Sequence, residues 1–442
     1  MKVVKKAKDL LRPISPKPLI NAFHYGESQV ARVMRGNPTK HMVVIGIVGS
    51  KGKTTTANLL WAALSGTGAK VGQIGTANIR IGGQEELNKH HMTLPGAFVT
   101  QKYLKQMAKA GCQFAVMEVP SEGQTQYRHV GINFDVLVFT NVTKELMAAH
   151  NFRLDVLHKH NKRVFAQLGK NRRKKLNGKI IAKLIVVNQD AKDATAYSDF
   201  PSDKKVFFSV DQPSEYRATD IKSGAKGVDF TIKGVDYHIN LLGKINVINA
   251  GGAIAAAREL GVLPGQIQKG FDGLNVVPGR MEPIDVGQNF TTLVDYAHDQ
   301  ASMAALVDSA KAMRHKDSKV IVLLGAEGGG RDEAKRPEMG EIVAKSADYV
   351  VVSNVDPYED DPIKIIEDVA AGAEKAGKKR DKDLFCIEDR REGIRKALKL
   401  ARKDDLVFIT GKGAEQSIVI DGKSQAWDDR KVVREELEKL KG

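Results

Sequence analysis

The chain is 442 residues long and has only two cysteines, Cys112 and Cys386. They lie far apart in sequence, which excludes a disulfide framework. No apolar run approaches the ~20 residues that a membrane span needs. The first residues, Met1-Lys-Val-Val-Lys-Lys-Ala-Lys8, are basic and lack the apolar core of a signal peptide. These absences point to a cytoplasmic protein. Repeats at solenoid periods and low-complexity tracts are missing as well. Aromatic residues make up 6% of the chain and are sparse in its most basic stretch, residues 158–183. No nucleic-acid-binding module accompanies that stretch, so it reads as a solvated helix and loop, and no nucleic-acid partner is expected.

What is present is a soluble globular composition, 42% hydrophobic and 28% charged. The length allows two or three domains with real cores. The net charge is +16, from 69 Lys plus Arg against 53 Asp plus Glu. Such a field favours anionic ligands.

The most informative segment is Gly46-Ile-Val-Gly-Ser-Lys-Gly-Lys-Thr-Thr-Thr56. An apolar run precedes it and a helix-like stretch follows. Strand, glycine loop and helix N-terminus in that order make an anion cradle. Gly49 and Gly52 let backbone N–H groups close on phosphate. Lys53 would reach the β/γ-phosphates and the Thr54 hydroxyl would bind Mg²⁺. Five residues separate Gly46 from Gly52, one more than in the usual phosphate-loop pattern.

The periodicity predicts strands over 42–48, 70–76, 114–119, 136–142 and 181–187, with helices between most of them. This alternation predicts an α/β fold with a mostly parallel sheet. Residues 216–242 alternate around Gly234 and read as antiparallel strands. A second series of strands is expected over 291–296, 320–324, 349–353, 384–387 and 406–410. It lacks G-x-G-x-x-G after its first strand, so a dinucleotide is not implied. The expected division is a lead-in over 1–40, an ATP-binding domain over 41–277 and a Rossmann-like domain over 278–442.

Polar clusters fall at strand ends, where open α/β sheets bind ligands. They include Met117-Glu-Val-Pro-Ser121, Thr140-Asn-Val-Thr143 with His150, and Asp295-Tyr-Ala-His298. Others are Gly325-Ala-Glu-Gly-Gly-Gly-Arg-Asp332 and Gly411-Lys-Gly-Ala-Glu415. Their recurrence in both series predicts one cleft between two units.

From about residue 40 to the C-terminus, the order and wording of these motifs resemble the Mur ligase family, tripeptide-forming type. Val277-Pro-Gly-Arg-Met-Glu-Pro283, Val294-Asp-Tyr-Ala-His298, Lys335-Arg-Pro337 and Asp428-Asp-Arg430 carry much of the likeness. The resemblance implies ATP-dependent amide-bond formation on a cell-wall muramyl-peptide acceptor, with a free amino acid as donor. A carboxylate is a poor electrophile, so phosphate is first transferred to it, and an amine then attacks the acyl phosphate. It also implies roles. Gly49, Gly52, Lys53, Thr54 and Thr55 hold phosphate. Thr54, Glu118 and His150 serve Mg²⁺. Asn249, Arg280, Asp295 and His298 lie on the nucleotide side. Thr93, Ser121, Arg128, Arg331, Asp356, Tyr358, Gly411 and Glu415 lie on the substrate side.

Departures from the family pattern qualify this expectation. The roughly 40 residues before the glycine loop are too few for the family's uridine-nucleotide-binding domain, so a shortened or lipid-linked acceptor is conceivable. The family's carbamylated lysine falls on His160 or Asn161, with Lys159 and Lys162 off register. Glu122 and Ala414 stand where histidines are usual, and Tyr358 where diaminopimelate-adding members have arginine. Two alternatives stay open: a related ligase on a non-peptidoglycan substrate, and a nucleotide-binding homologue without ligase chemistry.

Overall fold

The computed structural model describes residues 17–90, 92–143, 150, 152–224 and 226–441. The first sixteen residues of the expected lead-in lie outside this set. The rest of the lead-in forms the helix Lys17–Met34 and a short 3-10 turn, Pro38–His41.

Two sheets organise the chain. The first has eleven strands, and its centre is parallel. The phosphate-loop strand, Val43–Val48, lies between Phe114–Val119 on one side and Val136–Phe139 on the other. Leu184–Asn188 and Lys204–Ser209 extend the parallel part outward. The far edge is the antiparallel set Tyr216–Gly224, Gly227–Ile232 and Val235–Ile239, as the alternation over 216–242 predicts. Val71–Ile74 continues the other side, and two hairpin strands, Asn78–Ile81 and Gln84–Leu87, close that edge. Sequence reading missed this hairpin.

The second sheet runs Glu282–Pro283, Thr291–Asp295, Leu406–Thr410, Val320–Leu324, Tyr349–Val352 and Leu384–Cys386. All of its pairings are parallel except that of Glu282–Pro283. Its central strands are buried on both faces, hence their unbroken Val, Ile and Leu runs. Helices cover both sides.

The expected strands over 70–76 and 136–142 end early, at Ile74 and Phe139. The reason is local. Thr140, Asn141 and Thr76 spend their polar groups on the site instead of on a ladder. Thr140 Oγ1 donates to Lys51 O (2.8 Å), and Ser50 N donates to Asn141 O (2.8 Å).

The helix after the loop, Lys53–Ser65, is buried nearly all round. It packs against Ile245–Glu259 and Pro264–Asp272. Glycine allows that approach: a Cβ on Gly270 would sit 2.0 Å from Ala62 O. This packing fixes the helix N-terminus, and with it the loop.

Candidate active site

The phosphate-loop strand is flanked by two strands from later in the chain, one on each side, so the chain runs outward from it in both directions. Its carboxyl end is therefore a switch point, the place where open α/β sheets leave a crevice. Register decides who faces the loop. Ile47 pairs with Glu118, and Val48 with Phe139. Glu118 on one side and Thr140-Asn141 on the other thus meet Gly49–Thr55. Gly49 and Gly52 have φ of 144° and 79°, and a Cβ on either would strike Thr140 Oγ1 or Asn249 Oδ1.

The loop faces a cavity of about 470 Å³ between the two sheets. Gly49, Gly52, Lys53, Thr54, Thr55, Thr93, Glu118, Ser121, His150, Asn249, Arg280, Asp295, His298 and Arg331 all line it. Lys53 Nζ donates to Gly49 O (2.8 Å) and Ser50 O (2.7 Å). Thr54 Oγ1 donates to Glu118 Oε2 (2.9 Å) and accepts from Arg280 Nη2 (3.2 Å). Arg280 therefore reaches across from the second unit to Thr54. Its guanidinium also stacks over Tyr296, 4.3 Å from the ring centre. A second crossing contact joins Lys51 of the loop to Asp299, which caps the helix Gln300–Met313.

Thr76 was not foreseen. Its backbone N–H and hydroxyl both donate to Glu118 (2.8 and 2.9 Å), fixing the carboxylate, and its hydroxyl lies 2.9 Å from that of Thr93. Two hydroxyls around a buried carboxylate are hard oxygen donors of the kind Mg²⁺ takes. Thr54 and Glu118 would hold such an ion, with phosphate and water completing its shell. Its chemistry there is to neutralise charge on the transferred phosphoryl group.

Asp295 lines the cavity and is also held by the protein itself. Met281 N–H and Ala297 N–H donate to its two oxygens (2.8 and 2.7 Å). It ties the Val277–Pro283 run to the sheet and so aims Arg280. Burial pushes its carboxyl up, against the pull of Arg280.

A second cavity, of about 670 Å³, adjoins the first and shares Thr93, Glu122, Tyr296, Glu327 and Arg331 with it. Arg128, Asp356, Tyr358 and Glu415 line only this one. Arg331 lies 3.6 Å from both Glu122 and Glu327, so it spans the cleft. Glu327 is largely desolvated, yet Lys335, His298, Arg331 and Lys412 hold its carboxyl down to about 2. Lys412 is fully buried and donates to Asp356 and Glu415 (2.6 and 2.5 Å). Asp356 also accepts from Val419 N–H (2.7 Å), so both its oxygens serve the protein. Gly411 lines neither cavity; it shapes the turn with φ 109°. The Asp428-Asp-Arg430 ending is structural too: Asp429 forms a buried bidentate pair with Arg390. Glu327 and Lys412 sit inside glycine motifs that were legible, but their desolvation was not.

His150 lines the first cavity, and its ring centre is 5.6 Å from that of His160. Burial, with Arg163, His150 and Lys159 nearby, pushes His160 down to about 4, so it is neutral at pH 7. Asn161 is buried and accepts from Gln124 (3.3 Å). Lys159 is exposed, and Lys162 sits over the Tyr197 ring at 5.8 Å. Neither lysine lines the cavity, so neither is placed to be carbamylated there. Activity should therefore be the same in bicarbonate-depleted and bicarbonate-supplemented buffer, with a raised Mg²⁺ requirement. A rate that climbs with bicarbonate would show the opposite.

A phosphate loop on one sheet, facing an arginine and a histidine from a second across a carboxylate-lined cavity, defines a two-unit ATP-using enzyme. Residues 47–257 match the Mur ligase middle domain, and residues 279–413 match the Mur ligase glutamate ligase domain. A UDP-N-acetylmuramyl-tripeptide synthetase of Roseiflexus sp. is 34% identical over 93% of this chain and 81% of its own length. A UDP-N-acetylmuramoyl-L-alanyl-D-glutamate–2,6-diaminopimelate ligase of Bacillus cereus is 33% identical over 96% of this chain and 85% of its own. A solved ligase of the latter name superposes with a TM-score of 0.58 at 27% identity, covering 91% of this chain and 79% of its own. Mycobacterium tuberculosis folylpolyglutamate synthase, at 16% identity, shares the fold with a TM-score of 0.67 over 95% of both chains. The chain belongs to the Mur ligase family, and is an ATP-dependent acid–amino-acid ligase using Mg²⁺.

Proposed function

We propose that the chain is a tripeptide-forming ligase that adds one amino acid to a carboxylate of a muramyl-peptide acceptor. The observation that carries this reading is the pair of joined cavities. One holds the phosphate loop, and the other is lined by Arg128, Arg331, Tyr358 and Glu415. A phosphorylated carboxylate at their junction faces Lys53, Arg280 and Arg331, which would stabilise charge developing on phosphate and on the tetrahedral oxygen. The division of labour at Pro278, nucleotide loop before it and donor residues after it, belongs to the same proposal.

Burial, with Asp356 and Glu327 nearby, keeps the Tyr358 phenol neutral. A neutral phenol replaces neither the charge nor the bidentate grip of a guanidinium. Arg331 lines the same cavity, but Glu122 and Glu327 already engage it. Neither Tyr358 nor Arg331 therefore offers the donor's distal carboxylate an uncommitted guanidinium. The test is incubation with ATP, Mg²⁺ and muramyl-dipeptide acceptors with and without UDP. Equimolar meso-diaminopimelate and lysine compete, and product mass is the readout. A tripeptide product is expected, with diaminopimelate favoured less than about a hundredfold, equivalent to ~2.7 kcal/mol. Absence of any amide product would remove the proposal. A larger preference would show that another cation reads the second carboxylate.

A further inference from the structure

On the ligase reading proposed above, the donor amine attacks where the two cavities join. As its nitrogen bonds the acyl carbon it becomes positively charged, and a base must take one of its protons. Among the described residues no histidine lines the second cavity, and four carboxylates do: Glu122, Glu327, Asp356 and Glu415. Three of them are already occupied. Asp356 accepts from Lys412 and from Val419 N–H. Glu415 accepts from Lys412 and from the Tyr296 hydroxyl (3.1 Å). Glu327 lies 3.6 Å from both Arg331 and Lys335, and the cations around it hold its carboxyl so low that it accepts a proton poorly.

Glu122 differs in each respect. Its side chain is 45% exposed, against 13% for that of Glu327. Its described partner is Arg331, and 3.6 Å is an ion-pair distance outside hydrogen-bond reach. The carboxylate is therefore held near the cleft by charge and keeps its lone pairs. Its position follows from the strand Phe114–Val119, which brings Glu118 to the phosphate loop. Glu118 is fixed there by Thr54 and Thr76. Four residues on, in the short helix Ser121–Thr125, Glu122 lines both cavities. A group shared by both can serve the donor nitrogen on one side and the leaving phosphate on the other.

We propose that Glu122 is the general base of the amide-forming step. The donor reaches the acyl phosphate as the free amine, having left one ammonium proton in water. Its lone pair forms the N–C bond, and one N–H proton passes to the Glu122 carboxylate. The C–O bond to phosphate then breaks, and phosphate leaves with that electron pair. Glu122 hands its proton to the departing phosphate oxygen, which restores the carboxylate.

The test separates this step from the one before it. Hydroxylamine is a free base at neutral pH and traps acyl phosphates as hydroxamates without an added base. Parent and Glu122→Gln are each given ATP, Mg²⁺ and the muramyl-dipeptide acceptor, with either hydroxylamine or an amino-acid donor. In Glu122→Gln, kcat for the amide product should fall by about a hundredfold or more. Hydroxamate formation should stay within about threefold of the parent's. Glu122→Asp keeps a carboxylate one methylene back, and should recover at least about tenfold over Glu122→Gln. The half-exposed side chain has no hydrogen bond to lose, so the melting midpoints should match. An amide kcat near the parent's would overturn the proposal. A loss confined to the donor KM would overturn it too, and would make Glu122 a binding group. An equal loss of hydroxamate would place its role in phosphoryl transfer instead and would also overturn it. Absence of both products from the parent itself would remove the ligase reading, and the proposal with it.

Discussion

Lys53→Ala lowers turnover by about a hundredfold or more while the protein still melts cooperatively. Lys53 is the first residue of its helix, and its ammonium bends back to the Gly49 and Ser50 carbonyls. Losing a charge-assisted contact costs about 1.5–3 kcal/mol. The loss is larger when the contact tightens as charge moves onto the transferred phosphoryl group, in the range of 10²–10³ in rate for one such donor. Phosphate release and product mass, measured with acceptor and donor present, give the result. Near-parental rates would mean that another cation, Arg280 or Lys51, does the work assigned to Lys53.

The largest stability effect is expected at Asp135. This carboxylate is fully buried at the start of the strand Val136–Phe139. Lys174 and Lys183, both nearly buried, donate to its two oxygens (2.5 and 2.9 Å). Val44 N–H donates to it as well (2.9 Å). One acid thereby holds two cations and joins the strand bearing the phosphate loop to its neighbour. Burial already pushes Lys174 down to about 8, against the pull of Asp135. Asp135→Asn would leave two buried ammonium groups facing a neutral amide. Breaking a buried pair from one side costs about 3–5 kcal/mol. The expected loss in melting temperature is on the order of 10 °C. Asp155→Asn, which removes an exposed pair with Arg153, should leave the midpoint unchanged. Scanning calorimetry of both variants measures the difference. A small shift for Asp135→Asn would mean that the lysines rotate out to water.

Much of this was legible in the sequence. The glycine loop between an apolar run and a helix marked the candidate nucleotide site, because strand, turn and helix N-terminus are all local features. Strands over 114–119, 320–324 and 406–410 were placed to the residue, since buried parallel strands read as unbroken apolar runs. Strand ends were less legible. Thr76 and Thr140 have strand-forming side chains, and only their bonds to Glu118 and Lys51 take them out of the ladder. The hairpin Asn78–Ile81 with Gln84–Leu87 was also missed. Its register is held by Arg80, which pairs with Glu85 on the neighbouring strand, a contact that periodicity does not reveal.

The sequence by itself determined the chemistry of the loop and the alternation that makes two parallel sheets. Both follow from residues within a few positions of each other. Which distant residues share the cleft was decided only by the tertiary structure. Register sets Glu118 beside the loop, and the docking of the sheets brings Arg280 to Thr54 and Arg331 to Glu122. The same is true of which motif residues are spent on the protein itself. Asp295 and Asp356 looked like site carboxylates in the chain; both line the cavities, and each has both oxygens engaged by backbone or lysine partners. A carboxylate's role depends on which donors surround it, and those donors come from segments up to 63 residues away.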